Sequence, residues 1–192
     1  LSADRTVGGP YENYVTPEQC VPDKPLGIPW ESCITIGTSF SFKYEDTYKT
    51  PRELVNLLID VVAKGGNLAL NVGPQPDGRL PAGAIKAMKG LGEWMKVYGE
   101  GIYGTRVVSP FKEDTVAFTQ KNGNIYAFKM YPDENESINR QIKIPYEGNI
   151  SKVVMLDTDE PVDFKSINGG YVFTLPENYP NETPYAHVFK IK

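Results

Sequence analysis

Residues 50–74 constrain the fold of this chain more than any other stretch. Thr50-Pro51-Arg52-Glu53 puts a hydroxyl at a helix N-cap, proline at the first helical position and a carboxylate three residues after the cap. Leu54, Val55, Leu57, Leu58, Val61 and Val62 then recur as one broad apolar face. Lys64 and Gly65-Gly66 end the helix, with a cation at its carbonyl end and a residue free to take positive φ beyond it. A short strand follows at once over 67–72, in which Leu68, Leu70 and Val72 alternate. A helix that turns directly into a buried strand belongs to a parallel α/β unit, and such a strand needs other parallel strands beside it. The spacing predicts a second helix over 81–97 with Ile85, Met88, Leu91, Trp94 and Met95 on its inner face.

Helical periodicity stops after Thr105. Segments at 105–110, 115–120, 124–131, 138–144, 151–157, 171–175 and 185–191 read as strands, with Lys121-Asn122-Gly123-Asn124 marking a tight hairpin. Short strands at this spacing predict an antiparallel β-sandwich. The expected organisation is an α/β piece over residues 1–104 and an all-β module over 105–192. Before the first helix, aromatic residues are interleaved with prolines between Tyr11 and Trp30, which reads as a long ordered loop of the functional kind.

The 192 residues carry 20 Lys and Arg against 24 Asp and Glu, a net charge of -4, which leaves no basic excess to hold a nucleic-acid backbone. No apolar run is long enough to span a membrane. Two cysteines, Cys20 and Cys33, and the one histidine, His187, argue against a disulfide scaffold and against a metal centre, and no cofactor is expected. The chain opens on a polar loop without Met or a leader-like stretch, so it reads as a fragment or processed product whose upstream part is missing. An α/β piece with one or two strands cannot close a sheet by itself, which points the same way. Asn135, Asn149 and Asn181 stand in glycosylation-type triplets, which are frequent by chance.

Chemistry-bearing side chains concentrate in the first fifty residues: Arg5, Tyr11, Glu12, Tyr14, Glu18, Trp30, Glu31, Phe40 and Phe42. Aromatic faces stack on the apolar faces of sugar rings, and carboxylates beside a guanidinium bind hydroxyls or carry protons. Spacing alone does not choose among these carboxylates.

Several segments together resemble the C-terminal part of glycoside hydrolase family 29 α-L-fucosidases. They are DRTVGGPYENYVTPEQ (4–19), IPWESC (28–33), GTSFSFKYED (37–46), the run from Glu53 to Pro81 containing GGNLALNVGP, and GEWMKVYGEGIYGTR (92–106). The resemblance implies the closing segment of a catalytic (β/α)8-like barrel followed by an antiparallel β-sandwich. It also implies a retaining exo-α-L-fucosidase working by double displacement with two carboxyl groups. The family's nucleophile, an Asp, lies upstream of Asp4, so this chain would supply the acid/base and not the nucleophile.

The resemblance places Glu18 as acid/base with Glu31 as its rival, Arg5 near the sugar pocket and Phe40 against the C5-methyl side of fucose. Trp30 either lines the pocket or anchors the loop. Asn71, Asp77 and Glu100 read as structural. The expected partners are a fucosylated oligosaccharide or glycoconjugate, α-1,3- or α-1,4-linked, and the upstream part of the same domain. The expected location is periplasmic or extracellular. The competing reading is a non-catalytic carbohydrate-binding β-sandwich with an α/β stub, which requires an exposed aromatic strip on the strands after residue 105. Phe118, Tyr126, Phe128, Phe173 and Phe189 instead alternate as core residues.

Overall fold

The computed structural model describes residues 10–180 and 184–192. The chain divides into two compact units, Leu1–Glu93 and Trp94–Lys192.

The first unit contains strand β1 (Glu31–Thr35), helix α1 (Pro51–Ala63), strand β2 (Asn67–Asn71) and most of helix α2 (Ala82–Tyr98). The two strands are parallel, from Glu31 opposite Asn67 to Thr35 opposite Asn71. At the start of α1 the Glu53 N–H donates to Thr50 Oγ1 at 3.2 Å, and the Thr50 N–H donates to Glu53 Oε2 at 2.7 Å. At its end Gly65 takes φ of 81°. The Gly65 and Gly66 amides donate to Val62 and Val61 carbonyls at 2.9 and 3.0 Å, a Schellman closure that satisfies the helix's last acceptors.

The second glycine serves a different purpose. A Cβ on Gly66 would run into three carbons of the Trp30 ring, and the Trp30 indole N–H donates to the Lys64 carbonyl at 3.3 Å. Gly66→Ala is expected to cost about 1–3 kcal/mol through this overpacking, read as a lower urea midpoint of the full-length protein.

The reading of residues 11–30 as a loop needs correction, because part of it is a third parallel strand. The Val15 amide donates to Pro29 O at 3.0 Å, and Val15 O accepts from the Glu31 amide at 3.0 Å. The Cys33 amide donates to Pro17 O at 3.0 Å, and the Gln19 amide donates to Cys33 O at 2.9 Å. The ladder bond absent from this series is the one Pro17 lacks an N–H to make. Residues 15–19 therefore extend the sheet beyond β1, and the strand order is this segment, β1, β2.

One face of the three strands is covered by the helices. Ile36, Leu54, Ala84 and Ala87 form the buried cluster, with Leu70 and Val72 packed against it. Ile85, expected inward, is 37% exposed. The reason is that α2 approaches through small residues: a Cβ at Gly83 would meet the Tyr48 ring and one at Gly90 would meet Pro51. Met88 and Leu91 pack inward as expected, and the close approach at Gly83 and Gly90 turns the stripe so that Ile85 is left out.

The second unit is a pair of antiparallel sheets. The larger has order β3 (Lys112–Glu113), β4 (Val116–Lys121), β5 (Asn124–Met130), β10 (Ala186–Ile191), β7 (Val153–Met155). The smaller has order β6 (Gln141–Ile144), β9 (Gly170–Thr174), β8 (Asp163–Ile167). Phe118, Ile142, Ile144, Met155, Phe173 and Phe189 meet between the sheets as a sandwich core. Tyr126 and Phe128 are also buried, but against Gly101 of a short 3-10 turn (Gly99–Gly101). The strand expected at 105–110 is reduced to Arg106 bridging Gln120, and β8 was not anticipated.

Candidate active site

Cβ atoms alternate across a strand, so residues opposite one another in a parallel ladder share a face. Val15 is opposite Trp30 and Glu18 is opposite Cys33, while Cys33 is opposite Ala69. Trp30, Ile34, Ile36, Leu70 and Val72 lie on the helix-covered face. The other face is therefore built in rows. The first row is Thr16, Glu31 and Asn67, the next is Glu18, Cys33 and Ala69, and the last is Thr35 and Asn71.

These rows separate the two candidate carboxylates. Glu31 is the first residue of β1, at the N-terminal edge of the sheet. Glu18 lies two residues further along, about 7 Å at the usual strand rise, and its strand ends immediately after it, where Gln19 takes φ of 55°. The Gln19 side-chain oxygen accepts from the Thr35 amide at 3.3 Å and lies 3.4 Å from Thr35 Oγ1, which fixes the turn after Glu18. In parallel α/β folds the reacting groups sit at the C-terminal ends of the strands. Glu18 ends its own strand one row short of the C-terminal edge formed by Thr35 and Asn71, and Glu31 lies at the opposite edge.

Glu31 is also engaged. The Tyr14 hydroxyl donates to it, and burial first, then the Glu31 charge and this bond, push the Tyr14 phenol above its ordinary value. Trp30, left by the sequence between pocket wall and anchor, is 1% exposed and stands on the helix side over Gly66. Phe40 is 41% exposed in the loop of residues 36–49 that leaves the C-terminal end of β1. Arg5 lies outside the described residues, as does Asn181.

Asp77 shapes a turn: its carboxylate accepts from Arg79 Nε at 2.7 Å and from the Arg79 amide at 3.1 Å. The Arg79 side chain holds its carboxyl below the usual range. Glu100, in the second unit, accepts from Tyr126 at 2.7 Å and from Lys190 at 2.6 Å. Asn71 contributes its backbone carbonyl to Ile36 N at 2.9 Å, and its side-chain Oδ1 is buried without a hydrogen-bond partner.

Among the described residues no three His, Cys, Asp or Glu side chains are grouped to hold a metal ion. No helix among them is long and apolar enough to cross a membrane. Reasoning from sequence missed the strand that carries Glu18. The signal available for it was the alternation of Tyr14, Thr16 and Glu18 with Val15 and Pro17.

The family described as Alpha-L-fucosidase matches residues 1–100. The chain belongs to the α-L-fucosidase family. An α-L-fucosidase of Branchiostoma floridae is 31% identical over 173 residues, covering 85% of this chain and 38% of its own length. The tissue α-L-fucosidase of Mus musculus is 28% identical over 186 residues, covering 88% of this chain and 39% of its own. The α-fucosidase structure of Thermotoga maritima in complex with fucose superposes with a TM-score of 0.83 at 30% identity, over 99% of this chain and 44% of that one. The chain thus spans well under half the length of the fucosidases it matches, and it aligns with both units of its own fold.

Proposed function

We propose that this chain supplies the general acid/base of a retaining exo-α-L-fucosidase, with Glu18 in that role. The observation that carries the reading is the position of Glu18: the last paired residue of a parallel strand, on the face turned away from the helices. The three parallel strands and their two helices are read as the closing segment of a (β/α)8-like barrel, whose upstream part carries the nucleophilic Asp. Family membership and a Thermotoga maritima relative solved with a mechanism-based inhibitor support a glycosidase reaction.

In the first step a nucleophile oxygen attacks C1 of fucose as the C1–O bond to the aglycone breaks. Glu18 gives its proton to the departing oxygen. In the second step Glu18, now ionised, takes a proton from water as the water oxygen attacks C1 and releases the nucleophile. Two inversions return the α configuration. Glu18 must be protonated at the start, which calls for burial or a neighbouring carboxylate charge to raise its pKa. The upstream part of the domain would provide both.

The preferred bonds are α-1,3 and α-1,4. The segment from Tyr11 to Pro29, stiffened by Pro17, Pro22 and Pro25, is suited to form a wall for a branched acceptor. The full-length protein is expected to release α-L-fucose as the first-formed anomer from an aryl α-L-fucoside, observed by NMR before mutarotation. It is also expected to cleave a Lewis-type trisaccharide faster than an α-1,2-fucosylated disaccharide. The β anomer would overturn the retaining mechanism, and equal specificity constants would overturn the linkage preference. The binding-module reading finds no support in the second unit. Phe118, Tyr126, Phe128, Phe173 and Phe189 are each at most 1% exposed, and no aromatic strip is presented by the described strands.

A further inference from the structure

The loop of residues 36–49 is fastened at both ends and at one point between them. At its start the Ile36 amide donates to Asn71 O at 2.9 Å, and at its end the Lys49 amide donates to Ile36 O at 2.8 Å. Asp46 ties its interior, accepting from the Thr38 amide at 3.0 Å and the Thr47 amide at 2.9 Å. The middle of the loop has no such hydrogen bond to β2. It rests on Gly73, just past the β2 strand.

A Cβ placed on Gly73 would lie 2.5 Å from the Phe42 nitrogen, 2.6 Å from the Ser41 carbonyl carbon and 3.0 Å from the Ser41 oxygen. These are backbone atoms and cannot turn aside as a side-chain tip would. No positive φ is involved at Gly73, so the demand for glycine there comes from close approach alone. Phe42 packs edge-on against Tyr44 with ring centroids 5.1 Å apart, so moving the backbone at Ser41–Phe42 moves the aromatic part of the loop with it.

We propose that Gly73 is a positioning residue for substrate: its bare α-carbon seats the Ser41–Phe42 backbone on the exit of β2 and so sets where the Phe40 and Phe42 rings meet the sugar. The inference rests on the fucosidase reading and assigns the site a distance control that acts on the apolar side of the ring. The group most sensitive to such a shift is the C5 methyl, the apolar projection that distinguishes a 6-deoxy sugar from the same ring without it.

The test compares kcat/KM of the full-length protein on an aryl α-L-fucoside and on the aryl glycoside of the same ring configuration lacking the C5 methyl. A methyl-sized contact in an apolar pocket is worth about tenfold or more in this ratio. Gly73→Ala is expected to lower the ratio about fivefold or more, whereas Gly66→Ala, which strains the far end of α1 against Trp30, is expected to keep it. Should Gly73→Ala fail to fold, Asp46→Ala removes the oxygen that the Thr38 and Thr47 amides share, loosens the same loop from its other tie and is expected to lower the ratio in the same direction. A ratio unchanged in folded Gly73→Ala, or in Asp46→Ala where Gly73→Ala does not fold, overturns the positioning role while leaving the fucosidase reading intact. No turnover of the aryl fucoside by the unsubstituted protein overturns that reading, and this inference with it.

Discussion

Glu18→Ala in the full-length protein is expected to slow release of fucose from natural glycosides by about 10²–10⁴-fold, the usual contribution of a positioned proton donor. An aryl fucoside with a good leaving group is expected to lose much less in its first step, because a stabilised aryl oxide departs without a proton. Azide should then accelerate turnover of that substrate, attacking the fucosyl-enzyme without base assistance and yielding β-fucosyl azide. Arg5→Ala should weaken both substrates and show no azide rescue, as befits a role in charge and placement. Glu31→Ala should behave as a loss of the Tyr14 partner, with little dependence on the leaving group. Leaving-group dependence and azide rescue in Glu31→Ala, with neither in Glu18→Ala, would transfer the role to Glu31.

The second large effect concerns acid stability and arises in the sandwich unit. His187 is 0% exposed. Its Nδ1 lies 2.9 Å from the Tyr131 hydroxyl and its Nε2 is buried without a hydrogen-bond partner. Burial lowers its pKa to about 4, opposed by the Asp157 charge and assisted by Lys129. The unfolded chain, with an ordinary histidine, takes up a proton near pH 6.5, while the folded one waits until about pH 4. Between those values the unfolded state binds more protons, so stability falls as the pH is lowered and levels off below pH 4.

The full loss is about 3 kcal/mol. Urea unfolding from pH 7.5 to 3.5 should show it as a difference between the unsubstituted protein and His187→Gln, since the carboxylates titrate in both. As this is the one histidine of the chain, parallel curves for the two proteins would refute the assignment.

What the sequence revealed and what it hid follow from the kind of interaction involved. Helix α1 was readable from Thr50, Glu53 and Gly65 because capping is local, and β2 was readable because its apolar residues alternate. The strand of residues 15–19 was hidden by Pro17, which ordinarily argues against pairing but costs this ladder only a single bond. Strand β1 was hidden because Ser32 and Cys33 give it no apolar rhythm; Ser32 is nevertheless fully buried, its hydroxyl donating to Cys20 O at 2.7 Å. Strand β8 is mostly exposed and short of apolar residues. The need for glycine at positions 66, 73, 83 and 90 depends on what approaches from elsewhere in the chain, so no local pattern announces it. Glu18 was nameable from resemblance, but its separation from Glu31 along the strand axis required the register.

The seating of Trp30 on Gly66 gives the molecule an optical address. The chain holds two tryptophans: Trp30 falls within the first unit and Trp94 begins the second, and they are 1% and 7% exposed. Replacing Trp94 with phenylalanine leaves an emitter whose indole is screened from water by the closure of α1, so its red shift times the opening of the α/β unit. Replacing Trp30 leaves an emitter packed against Tyr98 with ring centroids 5.0 Å apart and the planes tilted by 34°, which times the other unit. The two halves of the chain are thus distinguishable by colour during unfolding, and the order in which they let go becomes a quantity that a fluorimeter reads.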